Sequence, residues 1–482
     1  MDKKTHEILE IFEKINRIPR CSKKEEKISR WLAQWASQNM YDCRKDSSGN
    51  INIKVPARQA GAKAPSIIIQ GHMDMVCEKT DDSGHDFSSD PIRCIYDGEW
   101  LKADKTTLGA DNGIAIAIGL ALSGDPAIVH PPLELLFTVD EESGLTGAKN
   151  MDPEFLEGSI LLNIDSEEEG IFTIGCAGGE ETRIVLPINF SQITSQYHIY
   201  KLTAAGMRGG HSGIDINKHR ASANKILARA LHLLAKTATM QLISIKGGTT
   251  HNAIARSAEA TIALSPSEFS RIQDCIKNFG QTVISEYAAA ENSLALSISQ
   301  LENDPNDISA ATPQDTYKII QLLLALPHGV TAMSADIEDL VETSSNLAAI
   351  EIEGKSLKIL TSQRSSVMSK LEEITAKVEA SAALAGATMH HVNRYPAWQP
   401  NTASPLLERC KEVYQKLFSK DPKVQTIHAG LECGIIGSKH RNMDMISFGP
   451  TIKNPHSPDE RLFIPSIAKI WDFLVALLKS YS

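Results

Sequence analysis

The stretch Pro65–Val76, PSIIIQGHMDMV, decides how the chain is read. Ile67, Ile68 and Ile69 make an apolar run of buried-strand length. Gly71 interrupts it, and His72 and Asp74 follow with one residue between them. On extended backbone, side chains two apart point to the same side, so the imidazole and the carboxylate converge on one point. The carboxyl end of an apolar strand is where an open α/β sheet places its chemistry. A capped strand with a surface Asp reads equally well from this stretch alone. The acidic residues downstream decide between the two.

Leu108–Gly119, LGADNGIAIAIG, sets Asp111 between glycines and ahead of a small-residue apolar helix, Ile114–Leu122. A plain N-cap is the simplest role for an Asp in that place. Leu133–Val139, LELLFTV, is a second buried strand, and it runs into Asp140, Glu141 and Glu142. Adjacent carboxylates at the end of an apolar strand repel one another unless a cation is present. A third strand, Ser159–Ile164, ends in Asp165. Apolar strands that each end in acidic residues, with His72 on the first, read as a parallel-rich sheet lining one site along its carboxyl edge.

The rest of the chain arranges itself around that sheet. Residues 5–40 read as two amphipathic helices broken at Pro19, and Cys43–Val55 as a hairpin turning at 47–50. After Gly178-Gly179 the pattern becomes strand, helix, strand, strand, helix, strand, and it occurs twice. Asn252 and Asn346 open the matching hairpins, a weak internal repeat. The expected organisation is a first part, 1–187, a two-lobed α+β insertion, 188–394, and a return to the first part, 395–482. The return carries the loop NPHSPDE, 454–460, with His456, and a final helix over 464–478.

Length and composition bound the function. A chain of 482 residues exceeds what one core usually organises. A net charge of −10 without a basic run argues against a nucleic-acid partner. No stretch reaches membrane-span length, and residues 1–20 lack the apolar segment of a secretion signal. The eight cysteines are scattered singly without CxxC, the usage expected of reduced thiols in the cytoplasm.

The candidate ligands are His72, Asp111, Glu142, Asp165 and His456, with Asp74 and Glu141 beside them. Imidazoles and carboxylates without thiolates suit zinc, cobalt or manganese. The set is too large for one open tetrahedral metal and the right size for two metals sharing a carboxylate, roughly 3.5–4 Å apart. The motifs GHMDMV, GADNGIA, TVDEESG, LLNID and NPHSPDE, in that order, resemble the co-catalytic zinc peptidases. GMRGGHSGIDI (206–216), HAGLECG (428–434) and the double-lobed insertion resemble the aminoacyl-histidine (Xaa-His) dipeptidase branch, over essentially the whole chain.

The resemblance implies an α/β fold: a mixed-sheet catalytic domain of zinc-peptidase type with an inserted two-lobed α+β lid domain. It implies that Asp111 bridges two Zn2+ ions, with His72 and Asp165 completing one site and Glu142 and His456 the other. A cis peptide is implied between Asp111 and Asn112. Glu141 is implied as the general base toward a water held between the metals, and Asp74 as the group orienting His72. Adjacent strand residues point oppositely, so a base at 141 beside a ligand at 142 requires the backbone to turn there. His211 matches an oxyanion-stabilising histidine, and Arg364 matches the arginine that clamps a substrate carboxylate. An exposed helix-start Arg reads about as well at 364. Asn252 is a candidate helper, and Glu432 a candidate partner for the free amine of a dipeptide.

The expected activity is metal-dependent hydrolysis of dipeptides, preferentially Xaa-His such as β-alanyl-histidine. An N-acyl amino acid deacylase of the same fold and a metal-free scaffold protein are the alternatives. The family implies a homodimer, whereas a two-lobed insertion would let one chain imitate a dimer, so a monomer stays open.

Overall fold

The computed structural model describes all residues except 60–63, 194–195, 302–307 and 336. The chain divides into two compact units. The first comprises residues 1–176, 398–426 and 431–482; the second comprises 177–397 and 427–430.

An eight-stranded mixed sheet organises the first unit. Its strands are β1 (Asp42–Lys45), β2 (Ile51–Val55), β3 (Ile67–His72), β4 (Leu133–Thr138), β5 (Ile160–Asn163), β6 (Ile171–Cys176), β7 (Lys423–Ile427) and β8 (Asp444–Ser447), in the spatial order β1-β2-β4-β3-β5-β8-β6-β7. β3 runs parallel to both β4 and β5, and β5 parallel to β8. The apolar runs Ile67–His72, Leu133–Thr138 and Ile160–Asn163 are therefore neighbours with a common carboxyl edge. Every residue of β3 and of β4 is buried, as a sheet covered on both faces requires.

The helices follow from apolar spacing. α1 (Lys3–Asn16) starts at Asp2, whose carboxylate accepts from the Lys4 and Thr5 amides, and buries Ile8, Leu9, Phe12 and Ile15 along one face. α2 (Glu26–Gln38) buries Ile28, Leu32 and Ala36 in the same way. α3 (Ala110–Gly124) is buried nearly all round. A Cβ at Gly71 would lie 2.4 Å from Asn112 Oδ1 and 2.7 Å from Ala115 Cβ, so glycine at 71 and alanine at 115 let α3 rest on the end of β3.

The second unit is built on an antiparallel sheet whose order shows the repeat. Strands 295–300, 198–205, 258–264 and 240–247 form one half, and strands 341–353, 356–365, 178–187 and 388–395 the other. In each half the first and last strands of the copy lie outermost, and the halves meet between 240–247 and 341–353. One copy is thus threaded into the other after its first strand. That strand, Gly178–Pro187, pairs with 356–365 and 388–395, which moves the start of the insertion from 188 back to 177 and its end from 394 to 397. Asn346 does not open a hairpin. It sits inside the strand Val341–Glu353, where its amide donates to the His251 and Ala253 carbonyls.

One pair of cysteines departs from the expected reduced thiols. Cys21 and Cys77 form a disulfide, brought together by a parallel bridge between Cys21 and Met75. The other cysteines are free thiols.

Candidate metal centre

The carboxyl edge of the sheet gathers the candidate ligands, all within the first unit. β3 delivers His72 at its last residue, and the turn after it carries Asp74. Asp111 lies in the first turn of α3, where its backbone is still extended, and the Asp111–Asn112 bond is cis. Asp165 lies just beyond β5, and His456 in the loop before the final helix, Ile464–Lys479. Two residues beyond the end of β4, Asp140 adopts a left-handed conformation (φ 53°, ψ 42°) and starts the one-turn helix Glu141–Gly144. That left-handed residue is the turn required for Glu141 and Glu142 to serve one site.

Asp111 presents an oxygen to each of two groups. Its Oδ1 lies 3.1 Å from His72 Nε2, which is itself 3.4 Å from Asp165 Oδ1. Its Oδ2 lies 3.2 Å from His456 Nε2, which is 2.9 Å from Glu142 Oε2. His72–Asp111–Asp165 and Asp111–Glu142–His456 each place one ligand atom per residue within 4.8 Å of the others, as does His72–Glu141–Glu142. His72 is 1% exposed and His456 is 50% exposed, so the cluster opens to solvent on the His456 side.

The electrostatics of the cluster fit bound cations. Burial raises Glu141 well above the usual carboxylate range, reinforced by Asp165, Glu142 and Glu432 and opposed by His72. Burial, the pull of His72 and the repulsion of Asp111 and Glu142 leave Asp165 at about 6. Hydrogen bonds to Asp111 and Glu142 lift His456 to about 11. Asp111 moves the other way: burial opposes its ionisation, but hydrogen bonds from His456 and His72 hold it low. The Glu142 Oε1 atom is buried without a hydrogen-bond partner among the described residues. Crowded, desolvated carboxylates with an orphan oxygen are a donor set a divalent cation satisfies.

Asp74 backs this centre. Its Oδ1 is 3.3 Å from His72 Nδ1 and accepts the Glu141 amide at 3.0 Å, and its Oδ2 accepts the Glu142 amide at 3.2 Å and the Ser22 hydroxyl at 2.7 Å. Asn112 accepts the His72 amide at 3.3 Å and donates to the Ile164 carbonyl at 2.8 Å.

Glu432 is not placed as a partner for a substrate amine. It is 1% exposed, and its Oε2 accepts from Gln70 and Thr138, each at 2.6 Å. Burial pushes its carboxyl up to about 8, partly opposed by the Thr138 hydrogen bond.

His211, Arg364 and Asn252 belong to the second unit. His211 Nδ1 accepts the amides of Gly213 and Ile214, both at 3.2 Å, which leaves its proton on Nε2. Burial and then the Arg364 charge lower it to about 4, so it is a neutral Nε2–H donor. Arg364 sits within the strand Ser356–Ser365, 6% exposed, not at a helix start. Its Nη1 donates to the Tyr395 hydroxyl at 2.7 Å, while its Nε has no partner among the described residues. The Asn252 carbonyl accepts the Ser212 amide at 2.7 Å, tying the two loops together.

Arg20 and Glu460, both fully buried behind the centre, escaped the sequence reading. Glu460 ends the NPHSPDE loop, where it passes for a solvated charge. Arg20 is a lone cation with no pattern around it.

The chain belongs to peptidase family M20/M25/M40, whose model matches residues 68–480. It is 39% identical over 470 residues to the cytosol non-specific dipeptidase of Escherichia coli K12, covering 98% of this chain and 96% of that one. The crystal structure of aminoacylhistidine dipeptidase from Vibrio alginolyticus superposes with a TM-score of 0.91 at 37% identity, again over 98% and 96% of the two chains. A Bacillus cereus aminopeptidase shares the fold at a TM-score of 0.58 and 15% identity, over 99% of this chain and 98% of that one.

Proposed function

We propose that the protein is a dinuclear metal-dependent dipeptidase. His72 and Asp165 would hold one ion, Glu142 and His456 the other, and Asp111 both, with zinc the first choice and cobalt or manganese as substitutes. The observation that carries this is the placement of Asp111, one oxygen toward each histidine–carboxylate pair. When bound, the ions supply Lewis acidity, polarising the scissile carbonyl and lowering the pKa of the attacking water.

The chain's own residues do the rest. Glu141, raised by its buried surroundings, takes the proton of the attacking water and passes it to the leaving amine. Asp74 holds His72 through Nδ1, leaving Nε2 to face the cations. On the second unit, His211 offers a neutral Nε2–H with the Asn252 amide near it in the chain fold, and Arg364 a guanidinium fork, chemistry suited to an oxyanion and to a carboxylate.

The names of the Escherichia coli and Vibrio relatives support dipeptides as the substrate class, and the Vibrio name supports Xaa-His among them. The word cytosol in the former supports a cytoplasmic location. Among the described residues no helix is long and apolar enough to cross a membrane.

Glu432, buried beneath Gln70 and Thr138, keeps a second reading in play, because an N-acyl amino acid needs no amine partner. A substrate panel separates them. Faster hydrolysis of β-alanyl-histidine and other dipeptides than of N-acetyl-histidine is expected; the reverse order would make the protein a deacylase.

A further inference from the structure

We propose that Arg20 and Glu460 are positioning residues that set the spacing of the ligand-bearing loops by gripping one peptide segment, 108–111, from both sides. The proposal rests on the metal-centre reading and extends it to two residues that touch none of the candidate ligand atoms.

Glu460 is 2% exposed and spends both oxygens on consecutive backbone amides. Its Oε2 accepts from Leu108 at 2.7 Å and Gly109 at 2.9 Å, and its Oε1 from Ala110 at 2.8 Å and Asp111 at 3.2 Å. These are the amides that lead into α3 and have no helical acceptor of their own. Glu460 lies four positions after His456, so the same carboxylate fixes the His456 loop to the Asp111 loop.

Arg20 holds the opposite side. It is 1% exposed, and its Nη2 donates to the Gly109 carbonyl at 2.6 Å. Its Nη1 donates to the carbonyls of Met73 at 3.2 Å and Asp74 at 3.1 Å, on the turn that follows His72 and carries Asp74. Room for the guanidinium comes from glycine. A Cβ at Gly109, whose φ is 70°, would lie 2.5 Å from Arg20 Nη2, and one at Gly113 would lie 2.6 Å from it. Gly109 is therefore held through its N–H by Glu460 and through its C=O by Arg20. A continuous path runs from the β3 turn through Arg20, Gly109 and Glu460 to the His456 loop.

A stability role alone does not call for this chemistry. Buried charges are desolvated at a penalty, and well-packed apolar groups often replace them without loss of stability. The Arg20 Nε also stays buried without a partner among the described residues. What charge supplies here, and apolar packing does not, is fixed direction toward named backbone atoms on separate loops.

The test uses Glu460→Gln, which keeps the shape but turns an amide N–H2 toward backbone donors, and Arg20→Lys, which keeps the charge but loses the fork. Each full-length variant is titrated with zinc against a chelating dye, and thermal unfolding and the visible spectrum of the cobalt form are recorded alongside. The expected result is folded protein with zinc affinity lowered about 10- to 100-fold and a changed cobalt spectrum. The double variant should be no worse than the poorer single one, because both grip the same peptide. Wild-type zinc affinity in folded variants would overturn the proposal, as would variants that both fail to fold, which would assign the pair to stability. Because no peptide enters the assay, wild-type protein that binds zinc but hydrolyses no dipeptide would sink the activity and leave this inference standing.

Discussion

His72 and Asp74 lie two residues apart in the chain and 3.3 Å apart in space, Nδ1 to Oδ1, and the same Oδ1 accepts the Glu141 amide. One carboxylate therefore holds the His72 ring at the end of β3 and the Glu141 and Glu142 amides that follow β4. Asp74→Asn keeps the volume but must turn an N–H2 toward one of these donors. Metal affinity should fall about 10- to 100-fold, read by competition with a chelating dye. Unchanged affinity would remove Asp74 from the centre's support.

Glu141→Gln separates binding from chemistry. The amide cannot take a proton, so kcat should fall by about 10² to 10⁴ while metal content stays that of the parent protein. Metal analysis and steady-state kinetics on one preparation check both halves, and a variant that also loses metal would make Glu141 a ligand instead.

The metal-free protein should lose stability as pH rises from about 4 to 8. Asp165 titrates near 6 when folded against an ordinary 3.8, and Glu432 near 8 against 4.5. Carboxyls raised in this way bind more protons folded than unfolded, so each contributes stability below its unfolded value that is lost as pH climbs through the folded one. His456, lifted to about 11 from 6.5, acts in the same direction above pH 6.5. Bound cations favour the ionised carboxylates and cancel the trend. Thermal melts across this range, with and without zinc, should therefore diverge as pH rises; parallel curves would contradict the electrostatic reading.

Reducing the Cys21–Cys77 bridge should lower stability without removing the metal site. The cysteines are 56 residues apart, and closing a loop of that size restrains the unfolded chain by about 4 kcal/mol at most. A drop in melting temperature with a phosphine reductant, absent in Cys77→Ser, is expected.

The chemistry was legible in the sequence because it sits where local rules are strong. Buried apolar strands announce themselves, and carboxylates at their ends stand out because they are costly there; His72, Asp111, Glu142, Asp165 and His456 all come together as that pattern implies. The requirement for a turn before Glu141 was readable too, and Asp140 makes it. What failed depends on contacts distant in sequence. Gly178–Pro187 reads as a strand of either unit, and only its partners assign it. Glu432 looks like a loop carboxylate until Gln70 and Thr138 close over it. Arg20 and Glu460 leave no periodic trace, since their partners are backbone atoms.

The most direct measurement of the central claim is hydrolysis of β-alanyl-histidine by metal-stripped protein as zinc is added back in known molar ratio. The account predicts no turnover without metal and activity that rises until two equivalents are bound. Turnover that survives exhaustive chelation, or none at any zinc loading, would contradict it.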